Sequence, residues 1–311
     1  MGSTPDRDTH SADVHRAYRR ALEGATVRSR YVDGALGGRV HLLEKGDGAP
    51  VVLLHGTGCS AGFFLPLLDR LQAVHAFAID LPGVGLSDPA DLPRRGFRGA
   101  AVDWLDGVID ALELETTALV GHSGGGMWAL WYALAHPERV TSLVLIGASA
   151  VPGTRCPLPL RLITTPWLGS AVMRMAPPNR KSMLEFWRFL GERETLSQHP
   201  TLVDLLVALG RDPVTDRSSR GTELRFFISP VALVSRLGFR KRSRLRPDEL
   251  GQLAMPTLVV WGEHETLGDV SVGQALAASI PQARLQVPPT GHAPWLARPA
   301  ETAALVESVV A

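Results

Sequence analysis

The stretch ALVGHSGGGMWALW, from Ala118 to Trp131, gathers four glycines around a single serine, Ser123. Apolar residues lead into the glycines and apolar residues follow them, which predicts a buried strand that runs directly into a helix. A turn this tight strains its central residue and leaves no room for side chains two positions before and after it. Glycines at 121 and 125 therefore permit a turn that exposes the Ser123 hydroxyl.

The composition bounds the class of protein. A chain of 311 residues with 45% hydrophobic and 20% charged side chains is ordinary for a globular protein of one large domain or two modest ones. A net charge of +1 gives no reason to expect nucleic acid as a partner. The two cysteines, Cys59 and Cys156, are too few for a disulfide framework and too far apart for a metal site, so we interpret both as free thiols.

The N-terminal segment and the hydropathy pattern bear on location. The first twenty residues are polar and mixed in charge, and they lack the apolar core of a signal peptide. No apolar run reaches the ~18 residues that a membrane-spanning helix needs. We therefore expect a cytoplasmic protein that does not insert into membranes.

The rest of the chain divides into a core and two additions. Residues 1–26 are interpreted as an N-terminal extension, disordered over 1–11 and helical over 12–23, where apolar residues recur four apart. Short apolar runs that alternate with helical segments predict a mostly parallel, doubly wound α/β sheet built from residues 27–151 and 253–311. The predicted strands cover residues 27–32, 39–43, 51–54, 76–79, 118–120, 143–146, 258–260 and 283–287.

The alternation stops over residues 152–252, which contain helical segments separated by prolines. Because this is far longer than an ordinary connection within a sheet, we interpret it as an inserted helical lid. In parallel sheets, ligands bind beyond the carboxyl ends of the strands. The polar and glycine-rich motifs of this chain all follow predicted strands, so we expect the functional site at that edge.

A serine nucleophile needs a base, an acid that orients the base, and donors for an oxyanion. His292 is the best candidate base, because it lies in a loop after a predicted strand, whereas His122 beside Ser123 is expected to point behind the turn. The loop after strand 257–261 carries three candidate acids, and position alone does not choose among them. These are Glu263, Glu265 and Asp269.

The segment HGTG, residues 55–58, follows another buried strand and offers a flexible backbone. We predict that the oxyanion site consists of the backbone N–H groups of Thr57 and Gly124. The alternative is an ordinary glycine turn without a role in catalysis.

Five motifs together resemble the α/β-hydrolase superfamily, in its lid-bearing branch of serine esterases, C–C hydrolases and haloperoxidase-like enzymes. The order of serine, acid and histidine along the chain agrees with that resemblance. It covers about residues 27–150 and 253–311 and implies the α/β-hydrolase fold with an inserted lid. The motifs are HGTG (55–58), DLPGVGLSD (80–88), GHSGGG (121–126), WGEHE (261–265) and GHAPWLARP (291–299).

The resemblance also implies which acid acts. The family usually has aspartate in a W-G-x-x-D motif, and Glu265 stands at that place here, with Asp269 as the second choice. A serine at the turn, where epoxide hydrolases carry aspartate, points to acyl transfer. The oxyanion loop is shorter and poorer in glycine than is usual in C–C hydrolases, which weakens that alternative.

The aromatic and methionine side chains of the predicted lid are interpreted mainly as packing, with a few lining an apolar pocket above Ser123. These include Trp167, Met173, Met175, Trp187, Phe189, Phe226 and Phe227, and a basic segment at 236–246 is interpreted as solvated surface.

We therefore expect a serine hydrolase with the triad Ser123, Glu265 and His292 that cleaves a carboxylic ester or lactone of a hydrophobic small molecule. No metal or organic cofactor is expected. Two alternatives stay open. The same site could serve C–C hydrolysis, lyase, cyclase or acyl-transfer chemistry, or the chain could bind a ligand without catalysis.

Overall fold

The structure is a computed structural model of the whole chain. It describes residues 9–34, 36–93, 96–155, 175–218 and 244–310. Trp167, Met173, Phe226, Phe227 and most of the basic segment 236–246 lie outside these residues. Within the described ranges, every helix is too short or too polar to cross a lipid bilayer.

Eight strands form one sheet in the order β1-β2-β4-β3-β5-β6-β7-β8. Strand β2 pairs antiparallel with both β1 and β4, and all other neighbours are parallel. This confirms the predicted mostly parallel sheet. The strands are β1 Arg28–Asp33, β2 Arg39–Lys45, β3 Ala49–Leu54, β4 Val74–Ile79, β5 Thr117–His122, β6 Val140–Ile146, β7 Thr257–Val260 and β8 Ala283–Gln286.

Both faces of the sheet are buried, because successive side chains of a strand point to opposite sides. In β3, Val52 and Leu54 join the hydrophobic cluster on one face, and Val51 and Leu53 join the cluster on the other. The α-helices of the described residues are α1 Ala12–Leu22, α2 Leu65–Leu68, α3 Phe97–Ala111, α4 Gly124–Ala135, α5 Arg180–Arg188, α6 Arg193–Ser197, α7 Pro200–Arg211, α8 Pro213–Thr215, α9 Pro247–Leu250, α10 Val270–Ala278, α11 Pro294–Ala297 and α12 Pro299–Val310.

The residues just before helix α1 differ from the prediction. Residues 1–11 were expected to be disordered, but His10 is buried and its Nδ1 lies 2.8 Å from a carboxylate oxygen of Asp212. Helix α1 follows and packs against α7. A long-range partner 202 residues away orders this segment, and no local pattern in the sequence announces it.

Candidate active site

Ser123 occupies the turn between β5 and α4 and has φ 52° and ψ −117°. A non-glycine residue at positive φ is strained and needs its surroundings to hold it. Here the Ser123 N–H donates to the carbonyl of Ile146 at 2.9 Å, and its own carbonyl accepts the N–H groups of Gly126 and Ser149 at 3.1 and 3.0 Å. Ser123 itself is half-buried.

The glycines beside Ser123 are required by close backbone contacts. A Cβ on Gly121 would lie 2.5 Å from the Cα of Gly126, and a Cβ on Gly125 would lie 2.2 Å from the carbonyl oxygen of Leu54. Both distances are far below van der Waals contact. Any larger residue would push the turn apart.

His292 and Glu265 meet at the same edge of the sheet. The Nδ1 of His292 lies 2.7 Å from Oε2 of Glu265, and both side chains are buried. The other carboxylate oxygen, Oε1, accepts the N–H groups of Thr266 and Leu267 at 2.8 and 3.0 Å. Because Nδ1 holds a proton toward the carboxylate, Nε2 is the nitrogen that can accept one.

The protonation of His292 depends on this pair. Burial by itself lowers the pKa of His292, but the charge of Glu265 and its hydrogen bond, together with the charge of Glu192, raise that pKa above its ordinary value. The site therefore stabilises the imidazolium that forms when His292 takes a proton.

The other two candidate acids lie elsewhere. Asp269 is exposed and caps the N-terminus of α10, where it accepts the N–H of Ser271 at 3.0 Å. Glu263 is exposed as well. Of the three carboxylates in this loop, Glu265 is the one in contact with His292.

Gly147 is a site residue that the sequence analysis did not single out. It has φ 52°, and a Cβ there would lie 2.7 Å from Oε2 of Glu265 and 2.8 Å from Nδ1 of His292. Its single signal in the sequence is a glycine directly after β6. The absence of a side chain at 147 leaves room for the carboxylate–imidazole pair.

His122 lies behind the turn, as expected. Its Nε2 lies 3.1 Å from the carbonyl oxygen of His292 and donates to it, and its Nδ1 has no hydrogen-bond partner among the described residues. Burial lowers the pKa of His122 well below its ordinary value, and the neighbouring His292 lowers it further. A neutral His122 therefore supports the backbone of the His292 loop through its Nε2–H.

The proposed oxyanion donors belong to the loop 55–58 and to the residue that follows Ser123. A Cβ on Gly56 would lie 3.0 Å from Cβ of Ser123, so the loop 55–58 packs directly against the serine. The N–H of Gly124 is in the first turn of α4, where helices leave their N–H groups without intrahelical partners. Within the described residues, neither this N–H nor that of Thr57 has an acceptor, so both are available to an anionic oxygen.

Two other features complete the description of the site. In the part of the predicted lid that is described, Trp187 is buried with its ring 4.8 Å from that of Phe63, whereas Met175 and Phe189 are exposed. No group of three or more histidine, cysteine or acidic side chains converges as a metal site anywhere in the described ranges.

The arrangement agrees with the comparisons. A family model described as alpha/beta hydrolase fold matches residues 49–299. The chain therefore belongs to the α/β-hydrolase family, and the predicted fold and family are confirmed.

Proteins similar to this chain include hydrolases of 2-hydroxy-6-oxo acids and an esterase. A 2-hydroxy-6-oxononadienedioate/2-hydroxy-6-oxononatrienedioate hydrolase of Cupriavidus pinatubonensis is 30% identical over 270 residues, which cover 83% of this chain and 86% of the relative. Naproxen esterase from Bacillus subtilis has a TM-score of 0.73 at 23% identity and covers 96% of this chain and 98% of its own. The 2-hydroxy-6-oxo-6-phenylhexa-2,4-dienoate hydrolase of Rhodococcus sp. strain RHA1 has a TM-score of 0.71 at 22% identity and covers 91% and 99%. The chain is an enzyme of the α/β-hydrolase type.

Proposed function

We propose that this protein is a serine hydrolase that cleaves a carboxylic ester or lactone of a hydrophobic small molecule through an acyl-enzyme. One observation carries the proposal. Ser123 stands on a strained strand–helix turn, next to a loop and a helix start whose N–H groups at Thr57 and Gly124 have no acceptor among the described residues, at the sheet edge that also carries the buried Glu265–His292 pair. This combination supplies nucleophile, base, orienting acid and oxyanion donors.

The chemistry follows from these roles. The Ser123 hydroxyl attacks the substrate carbonyl while Nε2 of His292 takes its proton, and Glu265 stabilises the imidazolium. The N–H groups of Thr57 and Gly124 hold the negative oxygen that forms. When the C–O bond breaks, His292 returns the proton to the leaving alcohol. A water molecule, deprotonated by His292, then hydrolyses the acyl-enzyme and restores the serine.

The proposal includes the division of the chain. We propose residues 152–252 as the lid over a core of 27–151 and 253–311, with 1–26 as an extension. The helices Arg180–Arg188 and Pro200–Arg211, inserted between β6 and β7, support a lid. The buried Trp187 supports an apolar surface near the site, which suits a hydrophobic acyl or alcohol group.

The test is covalent labelling. The purified protein is treated with a fluorophosphonate probe, and the modified peptide is located by mass spectrometry. We expect labelling at Ser123 and a fall in ester turnover of at least ~10³-fold in Ser123→Ala. Near-normal turnover in Ser123→Ala would overturn the mechanism. Labelling at Ser123 without turnover of any ester or lactone would support Ser123 as the nucleophile but would contradict the proposed substrate class.

The second candidate function is hydrolysis of a carbon–carbon bond. The Cupriavidus relative is named for 2-hydroxy-6-oxo-dienedioates, which contain no ester, so their hydrolysis must break a C–C bond. The same site could attack a ketone carbonyl of such a compound. A kcat/KM for a 2-hydroxy-6-oxo-dienoate well above that for the best ester would favour this function. Labelling at Ser123 with product that carries no solvent ¹⁸O would instead indicate lyase, cyclase or acyl-transfer chemistry, and an unreactive serine with tight binding would indicate a ligand-binding protein.

A further inference from the structure

The turn after helix α5, residues 189–192, packs against the loop that carries His292. The N–H of His292 donates to the carbonyl of Leu190 at 3.1 Å. A Cβ on Gly291 would lie 2.7 Å from the carbonyl oxygen of Leu190 and 2.8 Å from that of Gly191, so the two backbones are in direct contact. The backbone at His292 is therefore fixed by a segment of the proposed lid.

Glu192 ends this turn, and its carboxylate points into the same contact. The side chain is fully buried, Oε1 accepts the N–H of Ala293 at 2.8 Å, and Oε2 accepts the hydroxyl of Thr195. Within the described residues, Glu192 has no lysine or arginine partner. A buried carboxylate without a cation is unfavourable for stability, and such groups concentrate at functional sites.

The charges that face His292 come from three elements. Glu265 contacts its Nδ1, Glu192 lies behind its loop, and the ring of His122 lies 4.6 Å from its own. His122 is neutral, because burial lowers its pKa well below the ordinary value. Burial raises the pKa of Glu192 above its ordinary value and the charge of Glu265 acts in the same direction, whereas the hydrogen bonds from Thr195 and Ala293 and the charge of His292 offset only part of this rise. The charge of a protonated His292 favours the ionised form of Glu192, and the charge of Glu192 favours protonation of His292, so the two groups are coupled.

We propose that Glu192 is a positioning residue for His292, which fixes the backbone of the histidine loop and places a second carboxylate beside that loop. The inference rests on the proposed function only in taking His292 as the base. A glutamine at 192 keeps an oxygen for the N–H of Ala293 and removes the charge. Glutamine therefore separates the electrostatic role from a purely structural tie.

The first test measures His292 directly and needs no substrate. Histidine-labelled protein is titrated by NMR, with the His292 signal assigned through His292→Gln, in wild type, Glu192→Gln and Glu194→Gln. Glu194 is an exposed carboxylate two residues away and serves as the matched control. We expect Glu192→Gln to lower the pKa of His292 by about 0.5–1 unit, and Glu194→Gln to leave it unchanged. An equal pKa in all three proteins would overturn the electrostatic role.

The second test measures turnover of the best ester. We expect Glu192→Ala to lower kcat by about 10–100-fold with little change in KM, because the histidine loop loses a hydrogen bond. Glu192→Gln should restore most of kcat at high pH. It should also shift the acid limb of the pH profile of kcat/KM to lower pH. Wild-type kcat in Glu192→Ala would overturn the positioning role.

The two proposals fail in different ways. Labelled Ser123 with an unshifted His292 titration and wild-type kcat in Glu192→Ala removes the inference and leaves the function. Unlabelled Ser123 with a shifted titration removes the function and leaves the charge coupling between Glu192 and His292.

Discussion

At the scale of single residues, the proposed acid, Glu265, is the point where this chain departs from the usual family pattern. Glutamate is longer than aspartate by one methylene, and the loop accommodates it by holding Oε1 with the N–H groups of Thr266 and Leu267. This leaves Oε2 for Nδ1 of His292 at 2.7 Å. A flexible side chain is thereby fixed at both oxygens.

We expect Glu265→Gln to lower kcat by about 10³–10⁴-fold with little change in KM, because a neutral amide does not stabilise an imidazolium. Asp269→Asn is the matched control, since Asp269 is exposed and only caps α10. The measurement is steady-state turnover of the best ester together with the rate of fluorophosphonate labelling. Equal losses in both variants would contradict the assignment of Glu265.

Whether a residue of the candidate site could be predicted from the sequence depends on how far along the chain its partners lie. Ser123 could be proposed from the sequence because its motif directly follows a strand, and His292 because it lies in the loop after one. Position alone left Glu263, Glu265 and Asp269 open, and only the resemblance selected Glu265. Glu192 gave no signal at all, because its partner Ala293 is 101 residues away and the contact exists only in the folded chain.

At the scale of elements, His10 joins the N-terminal extension to helix α8. Its Nδ1 faces Asp212, and its Nε2 faces the backbone carbonyl of Ser87, each at 2.8 Å. Since a carbonyl and a carboxylate only accept, the imidazolium is the form that satisfies both contacts. Burial lowers the pKa of His10, but the hydrogen bonds to Asp212 and Ser87 raise it overall above the ordinary value.

This contact predicts a pH-dependent stability. The pKa of His10 is raised in the folded state. The His10 contact therefore contributes its full stabilisation below the unfolded-state pKa of about 6.5, and this stabilisation is lost as the pH rises through the folded-state pKa. We expect the difference in free energy of unfolding between wild type and His10→Gln to shrink from about pH 6 upward. Urea unfolding at a series of pH values measures it, with His264→Gln, at an exposed histidine, as the control. A difference that grows with pH would contradict the imidazolium.

At the scale of the whole molecule, one buried carboxylate joins segments that are distant in sequence. Asp80 contacts Nδ1 of His41 on β2 at 2.8 Å, and accepts the hydroxyl of Tyr18 on α1 at 3.1 Å. It also accepts the N–H groups of Ala61 and Leu86 at 2.6 and 2.9 Å. Burial by itself raises the pKa of Asp80, but the hydrogen bond and charge of His41 lower it, so the carboxylate stays ionised.

We expect Asp80→Asn to lower the free energy of unfolding by about 3–5 kcal/mol, because it leaves buried partners of a charged group without their carboxylate. Tyr18→Phe should cost about 1–3 kcal/mol, since the N–H of Gly62 then loses the hydroxyl it donates to. Urea unfolding checks both, and Asp91→Asn, at an exposed carboxylate, is the control. Equal stability of Asp80→Asn and the control would contradict a network that unites the fold.

The sheet itself could be predicted from the sequence because its signal is local. Runs such as Val51–Leu54 are apolar throughout, and each ends in a turn motif. The position of the N-terminal segment against the rest of the fold could not be predicted in this way. It depends on contacts such as Tyr18–Asp80 and His10–Asp212, which join residues that are distant in sequence. Such contacts leave no periodic pattern in either partner.

The antiparallel strands at one end of the sheet have a practical consequence for anyone who trims this chain. The family match begins at residue 49, so an expression boundary drawn there would remove α1, β1 and β2. Strand β4 would then present a bare edge of unpaired N–H and C=O groups, which invites other chains to add to it. We expect the shortened polypeptide to aggregate in inclusion bodies. That outcome would then be mistaken for a folding defect of residues 49–299, although its cause is the missing strands.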